Sequence, residues 1–132
     1  HPNIIGIKDS GGDAGILDGY LAAQSDTFSV LTGNGGTLAR AVAAGVRGGV
    51  LAVALMVPAL VEAVWEDGAL QDQLTPVARE VVGELGVPGV KAAMDEVGLH
   101  GGSVRAPLQD LGEPARERVR RILETALRAL PV

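Results

Sequence analysis

Three short apolar runs, Ile4–Lys8, Phe28–Thr32 and Gly48–Ala54, are each followed by a turn and then by apolar residues at helical spacing, and this pattern constrains the chain more than any other feature. Behind the first run, Asp9-Ser10-Gly11-Gly12-Asp13 forms the turn. Ile16, Leu17, Tyr20 and Leu21 then predict a helix over about 13–24 with Asp13 as its cap. Behind the second, Gly33-Asn34-Gly35-Gly36 is the loop, and Leu38, Ala41 and Val42 mark the inner face of a helix over 37–44. Behind the third, Pro58 suits the first residue of a helix running to about Glu66. Strands that alternate with helices run parallel through right-handed crossovers, and strands apolar on both faces are those a parallel sheet buries. The pattern predicts an α/β fold, an open sheet or a barrel.

The remainder reads as helical. Leu70, Leu74, Val77, Val81 and Leu85 form a stripe over 70–85, in which Pro76 predicts a kink or a fresh start near Thr75. Gly86-Val87-Pro88-Gly89 reads as a tight helix–helix turn, and Pro88 to Val97 as a helix closed by Gly98. Glu113 to Leu130 reads as a long amphipathic helix with Val119, Ile122, Leu123, Ala126, Leu127 and Leu130 on one side. The chain thus divides into three strand–helix units over 1–66 and C-terminal helices over 67–132 that pack on them.

Composition narrows the chemistry. With 16 acidic against 11 basic residues, a net charge of −5 and no basic run longer than Arg120-Arg121, neither nucleic acid nor an anionic membrane surface is the expected main partner. The absence of cysteine excludes disulfides, thiolate zinc sites and a cysteine nucleophile, and two histidines, His1 and His100, are too few for a metal site of their own. The longest apolar stretch, Val50 to Val61, is broken by Pro58 and falls short of the ~20 residues of a membrane span. No signal-peptide pattern is present, so the expected compartment is reducing and intracellular: the cytoplasm, with the mitochondrial matrix as the other compartment that fits. The opening His1-Pro2-Asn3, without an initiator Met, reads as the continuation of a longer chain.

Lys8 is the residue that stands out, because a charged side chain closes a run of Ile and Gly. Alternation places Ile4, Gly6 and Lys8 on one face of the strand and Ile5 and Ile7 on the other. If helices cover the Ile5/Ile7 face, Lys8 projects into a sheet interior at the C-terminal end of a parallel strand, where α/β folds place their active sites. Desolvation there disfavours the ammonium form, as a Schiff-base amine requires. A lysine snorkelling from the strand end or pairing with Asp9 fits the same pattern. Ser10 either bonds a substrate beside Lys8 or caps the next helix. Gly33-Asn34-Gly35-Gly36 could receive an anion on its backbone N–H groups or be a tight turn; Leu38 stands where a dinucleotide fingerprint needs glycine. Lys91 reads as solvated or salt-bridged, Arg105 as a tether to a carboxylate, His100 as a loop residue and Trp65 as core or edge packing.

The run His1-Pro2-Asn3-Ile4-Ile5-Gly6-Ile7-Lys8-Asp9-Ser10-Gly11-Gly12-Asp13 resembles the Schiff-base lysine strand of the dihydrodipicolinate synthase / N-acetylneuraminate lyase family of class I aldolases. Val30-Leu31-Thr32-Gly33-Asn34, Gly45-Val46-Arg47-Gly48-Gly49-Val50, Pro58, Gly89-Val90-Lys91 and Arg105-Ala106-Pro107-Leu108 follow in the family's order. Lys8 to Asp13, Gly86 to Gly89 and Arg105 to Gln109 are most similar to 4-hydroxy-2-oxoglutarate aldolases, which release pyruvate and glyoxylate. The resemblance implies a lyase in which Lys8 forms the imine, Ser10 contacts substrate, Gly33 and Asn34 belong to the next strand's loop and Val50 offers a backbone contact. It also implies a 2-oxo acid substrate and no cofactor. Of the family's (β/α)8 barrel, the last three strand–helix units and the C-terminal helices are recognisable here. The implied partner is another copy or the absent barrel half, which would carry the substrate-carboxylate loop and the relay tyrosine; Tyr20, on a helix, does not match that motif. Leu51 and Leu55 stand where members often carry Ser and Asn. The alternative reading is a non-catalytic half-barrel that acts as an association module.

Overall fold

The computed structural model describes residues 1–128. Within it β1 (Gly6–Asp9), β2 (Ser29–Thr32) and β3 (Gly48–Gly49) form one parallel sheet in the order β1-β2-β3. Helix α1 (Ala14–Leu21) joins β1 to β2, and a 3-10 turn (Gly35–Thr37) leads into α2 (Leu38–Ala44), which joins β2 to β3. A second 3-10 turn (Ala52–Leu55) leads into α3 (Pro58–Asp67), then α4 (Gln71–Pro76), a π-helical stretch (Val77–Glu84), α5 (Gly86–Glu96) and α6 (Glu113–Leu127). The α/β class and all three predicted strand–helix units are present, and Asp13 caps α1 by accepting the Ile16 N–H at 2.9 Å.

The third strand is shorter than the predicted 48–54. Only Gly48 and Gly49 pair, with Leu31 and Thr32, because β2 ends at Thr32 and offers nothing further to pair with. Val50 still donates its N–H to the Thr32 carbonyl at 2.8 Å before the chain turns into the 3-10 segment. The predicted break at Pro76 is instead a change of helix type. Proline brings no N–H to the ladder, and the chain continues from α4 into wider turns, closed by the Leu85 N–H on the Glu80 carbonyl five residues back. The predicted turn over Gly86 to Gly89 contracts to the joint at Leu85 and Gly86: α5 already begins at Gly86, whose φ of +61° suits a residue without a side chain, and Pro88 lies in its first turn. Leu130, placed on the last helix by its periodicity, lies outside the described residues.

Two cores position the sheet. On the helix side of β1 and β2, Leu17, Val30, Ala41 and Val46 cluster with Ile7 and Tyr20 packed against them. The larger core gathers Leu38 from α2, Val53, Leu60 and Val64, then Leu74, Val77 and Val81, and finally Ala93, Val119 and Leu123. Trp65 touches both clusters, the packing role expected of it. The expectation that helices cover Ile5 as well as Ile7 is not met: Ile5 is 72% exposed, because β1 enters the sheet only at Gly6.

The C-terminal helices are tied to one another by ion pairs. Arg118 of α6 reaches Glu80 and Glu84 on the π stretch, and Arg120 reaches Glu96 on α5. Both guanidiniums are held above their ordinary range, chiefly by hydrogen bonds to Glu80 and to Glu96 respectively. Lys91, expected to be solvated or ion-paired, donates from Nζ to the Gly101 carbonyl at 2.5 Å and pins the loop after α5. Arg105 is exposed and joins none of the ion pairs among the described residues, so its predicted tether is not formed. His100 is an exposed loop residue, as expected.

Candidate active site

The strand register decides what faces the sheet interior. Gly6 pairs with Ser29 and Lys8 with Leu31, and Leu31 pairs in turn with Gly48, so Lys8, Leu31 and Gly48 share one face while Ile7 and Val30 share the other. Lys8 is therefore on the side away from the covering helices, one residue before β1 ends. Immediately after β1 comes Ser10, after β2 come Gly33 and Asn34, and after β3 comes Val50. All five residues singled out in the sequence line one open cavity of about 620 Å³ at the C-terminal ends of the strands.

Local bonds explain why these loops converge. The Asp9 carboxylate accepts the Gly11 N–H at 3.1 Å, and the Asp9 carbonyl accepts the Gly33 N–H at 2.6 Å, stitching the first loop to the second. Asn34 uses its side chain at both ends: Oδ1 accepts the Gly36 N–H at 2.9 Å, capping the 3-10 turn, and Nδ2 approaches the Ser10 carbonyl at 3.5 Å. Its backbone N–H donates to the hydroxyl of Thr32 at 3.2 Å, which is 2% exposed. Asn34 thus holds two site loops together from within the site lining.

Gly33 is the point of closest approach. A Cβ there would stand 2.2 Å from Ser10 Oγ and 3.2 Å from Lys8 Cδ, so only glycine lets both side chains pass. Because the obstructed atoms are side-chain atoms that can rotate, Gly33→Ala is expected to leave the melting temperature within a few degrees of wild type while displacing the Ser10 hydroxyl and Lys8. A borohydride-trapping assay with a 2-oxo acid should read this as a several-fold lower adduct yield; an unchanged yield would mean that Ser10 and Lys8 do not act at this place.

The desolvated amine expected from the sequence is not realised in this chain: Lys8 is exposed. Three strands do not curl far enough to enclose the interior face, and Val50 and Leu55 on the cavity wall are likewise 57% and 49% exposed. The sequence reading also does not assign Ala78, Val82 and Gly83, which complete the wall from the π-helical stretch. The apolar stripe Leu70, Leu74, Val77, Val81 and Leu85 turns into the core instead, and nothing in the sequence marks which other side of that helix meets the strand ends. Among the described residues no group of three His, Cys, Asp or Glu side chains could hold a metal ion, and no helix is long and apolar enough to cross a membrane.

Comparison with known proteins agrees with this geometry. The model of the Dihydrodipicolinate synthetase family matches residues 1–126. A 4-hydroxy-tetrahydrodipicolinate synthase of Pseudomonas putida (strain W619) is 33% identical over 136 residues, which take in 96% of this chain and 45% of that protein. Among solved structures, a chloride-inhibited dihydrodipicolinate synthase from Acinetobacter baumannii, complexed with pyruvate, superposes with a TM-score of 0.82 at 28% identity, covering 95% of this chain and 46% of that one. The KD(P)GA of T. tenax superposes with a TM-score of 0.82 at 18% identity over 96% of this chain and 48% of its own, a likeness of fold. The chain spans about half the length of the relatives it matches.

Proposed function

Since the chain belongs to the dihydrodipicolinate synthetase family, we propose that it carries the imine-forming half of an aldolase or synthase site, with Lys8 as the amine that condenses with pyruvate or a related 2-oxo acid. The observation that carries this reading is the meeting of Lys8, Ser10, Gly33, Asn34 and Val50 around one cavity at the strand ends. The unprotonated Lys8 amine attacks the C2 carbonyl and expels water. In the cleavage direction the resulting iminium accepts the electron pair of the C3–C4 bond as it breaks, the C4 hydroxyl proton leaves, and an aldehyde departs. Protonation of the enamine at C3 and hydrolysis by water then return pyruvate and free Lys8. Ser10, beside Lys8, is positioned to hydrogen-bond the reacting substrate. The finer assignment suggested by the motifs is to 4-hydroxy-2-oxoglutarate cleavage or to dihydrodipicolinate synthesis.

The site is open as it stands, and the polypeptide that closes it belongs to this proposal. Ile4 and Ile5, just before β1, and Val50, just after β3, expose apolar surface at opposite ends of the sheet, as expected of a sheet that another barrel segment or another copy covers. The reading is tested by incubating the chain with pyruvate, reducing with borohydride and weighing the intact protein. One pyruvyl addition per chain is expected. No addition, even with the N-terminal barrel half of a relative supplied, would overturn it.

A further inference from the structure

Gln71, on α4, reaches the loop that follows β2 and uses both ends of its side-chain amide there. Oε1 accepts the Ala39 N–H at 2.8 Å, while Nε2 donates to the Gly35 carbonyl at 3.0 Å and to Thr75 Oγ1 at 3.0 Å. The Thr75 hydroxyl in turn donates to the Gln71 carbonyl at 2.8 Å and steadies the amide from its own helix. A backbone N–H and a backbone carbonyl have to be met together, and only a group with an acceptor beside a donor meets both. Ala39 lies in the first turn of α2, where N–H groups lack intrahelical partners, and Thr37 at the cap position makes no capping bond with its side chain. Gln71 supplies that cap from 32 residues away.

What this clamp holds is the loop that borders Lys8 and Ser10. Gly35 is buried, and a Cβ on it would stand 2.8 Å from Val53 Cγ2 and 3.3 Å from Ala78 Cβ, so the loop is seated on the cavity wall at that point. Two residues earlier, Gly33 passes Ser10 Oγ and Lys8 Cδ with no room for a side chain. A drift of the loop toward β1 therefore pushes on both side chains, and a drift away removes the surface that confines them. Gln71 has a firm base, because Leu74 of the same helix is 0% exposed in the main core. It does not line the cavity itself. We infer that Gln71 is a positioning residue for imine formation, acting through Gly35 and Gly33 to keep the Lys8 amine and the Ser10 hydroxyl aligned on the substrate carbonyl. This rests on the imine reading of Lys8 and adds to it a residue outside the cavity. Every bond of the clamp is made within this chain, so it holds whichever polypeptide closes the site.

Two substitutions test it. Gln71→Leu removes both bonds to the loop. Gln71→Glu keeps an acceptor for Ala39 but, when ionised, sets a second acceptor against the Gly35 carbonyl; protonation restores the donor, and that carbonyl favours the protonated form. Each variant and the wild type are incubated with pyruvate and cyanoborohydride from pH 8 to pH 5, and the Lys8 adduct is quantified by peptide mass spectrometry, with melting curves in parallel. Scaling to wild type at the same pH cancels the pH dependence of imine formation itself. Gln71→Leu should trap about tenfold less at every pH, a loss of the kind that a displacement of under about 1 Å produces. Gln71→Glu should show a similar deficit at pH 8 that narrows to about twofold by pH 5, a rescue that general loosening of the fold does not give. Adduct yields within twofold of wild type in both variants at pH 8, or a Gln71→Glu deficit that does not narrow in acid, would overturn the inference and leave the imine reading standing. Loss of cooperative melting in both variants would also overturn it, by making Gln71 a residue of global stability. Absence of a Lys8 adduct in the wild type would overturn the imine reading itself.

Discussion

Replacing Lys8 with arginine is expected to reduce the pyruvate adduct trapped by borohydride at this position to background. Arginine keeps the positive charge and much of the length but remains protonated at any workable pH, so it cannot supply the nucleophilic nitrogen. The substitution should cost little stability, because the side chain is exposed and enters none of the hydrogen bonds or ion pairs that hold the strand ends. Circular dichroism and the urea midpoint should therefore match wild type, which separates loss of the amine from loss of the fold. A Lys8→Arg variant that still gains the wild-type increment in intact mass would place the reactive amine elsewhere.

The second large effect concerns the core on which the site rests. Leu74→Ala is expected to destabilise the protein by about 2–5 kcal/mol, the range for removing a fully buried leucine with incomplete collapse around the space left. Leu74 is 0% exposed and lies on α4 among Leu38, Leu60, Val77 and Val119, so it joins the strand–helix units to the C-terminal helices. A typical domain has only about 5–15 kcal/mol in total, so this one change should lower the urea midpoint markedly. It should also loosen the π-helical stretch that carries Ala78 and Val82 on the cavity wall. Denaturation curves followed by Trp65 fluorescence check it, since that ring packs on the same core. A loss below about 1 kcal/mol would show that the two parts of the chain do not share their stability.

How much of this was legible in the sequence depends on what sets each feature. The strands around Ile7 and Val30 were readable because an apolar run followed by Asp9-Ser10-Gly11-Gly12 or by Gly33-Asn34-Gly35-Gly36 carries its own start and stop, and alternation alone put Lys8 opposite Ile7. The length of β3 was not readable, because it is fixed by where β2 stops offering partners rather than by anything in Val50 to Ala54. Pro76 announced an irregularity but not its form. A break and a widened helix both answer a missing N–H, and packing of Val77 and Val81 into the core favours continuing the helix. The exposure of Lys8 could not be read locally at all. It depends on which segments enclose the interior face, and residues 4–8 carry no information about them. The site residues were found because turn chemistry and strand alternation act locally; the apolar wall from Val82 was missed because it arrives from about fifty residues away in sequence.

Lys8 is the amine proposed to condense with a 2-oxo acid, and peptide mass spectrometry after borohydride trapping with pyruvate tests that role most directly. The Lys8 peptide should carry the reduced pyruvyl group in large excess over the Lys91 peptide, whose nitrogen is engaged with the Gly101 carbonyl, and over the amino terminus. Equal labelling of all three amines, or labelling that spares Lys8, would contradict it.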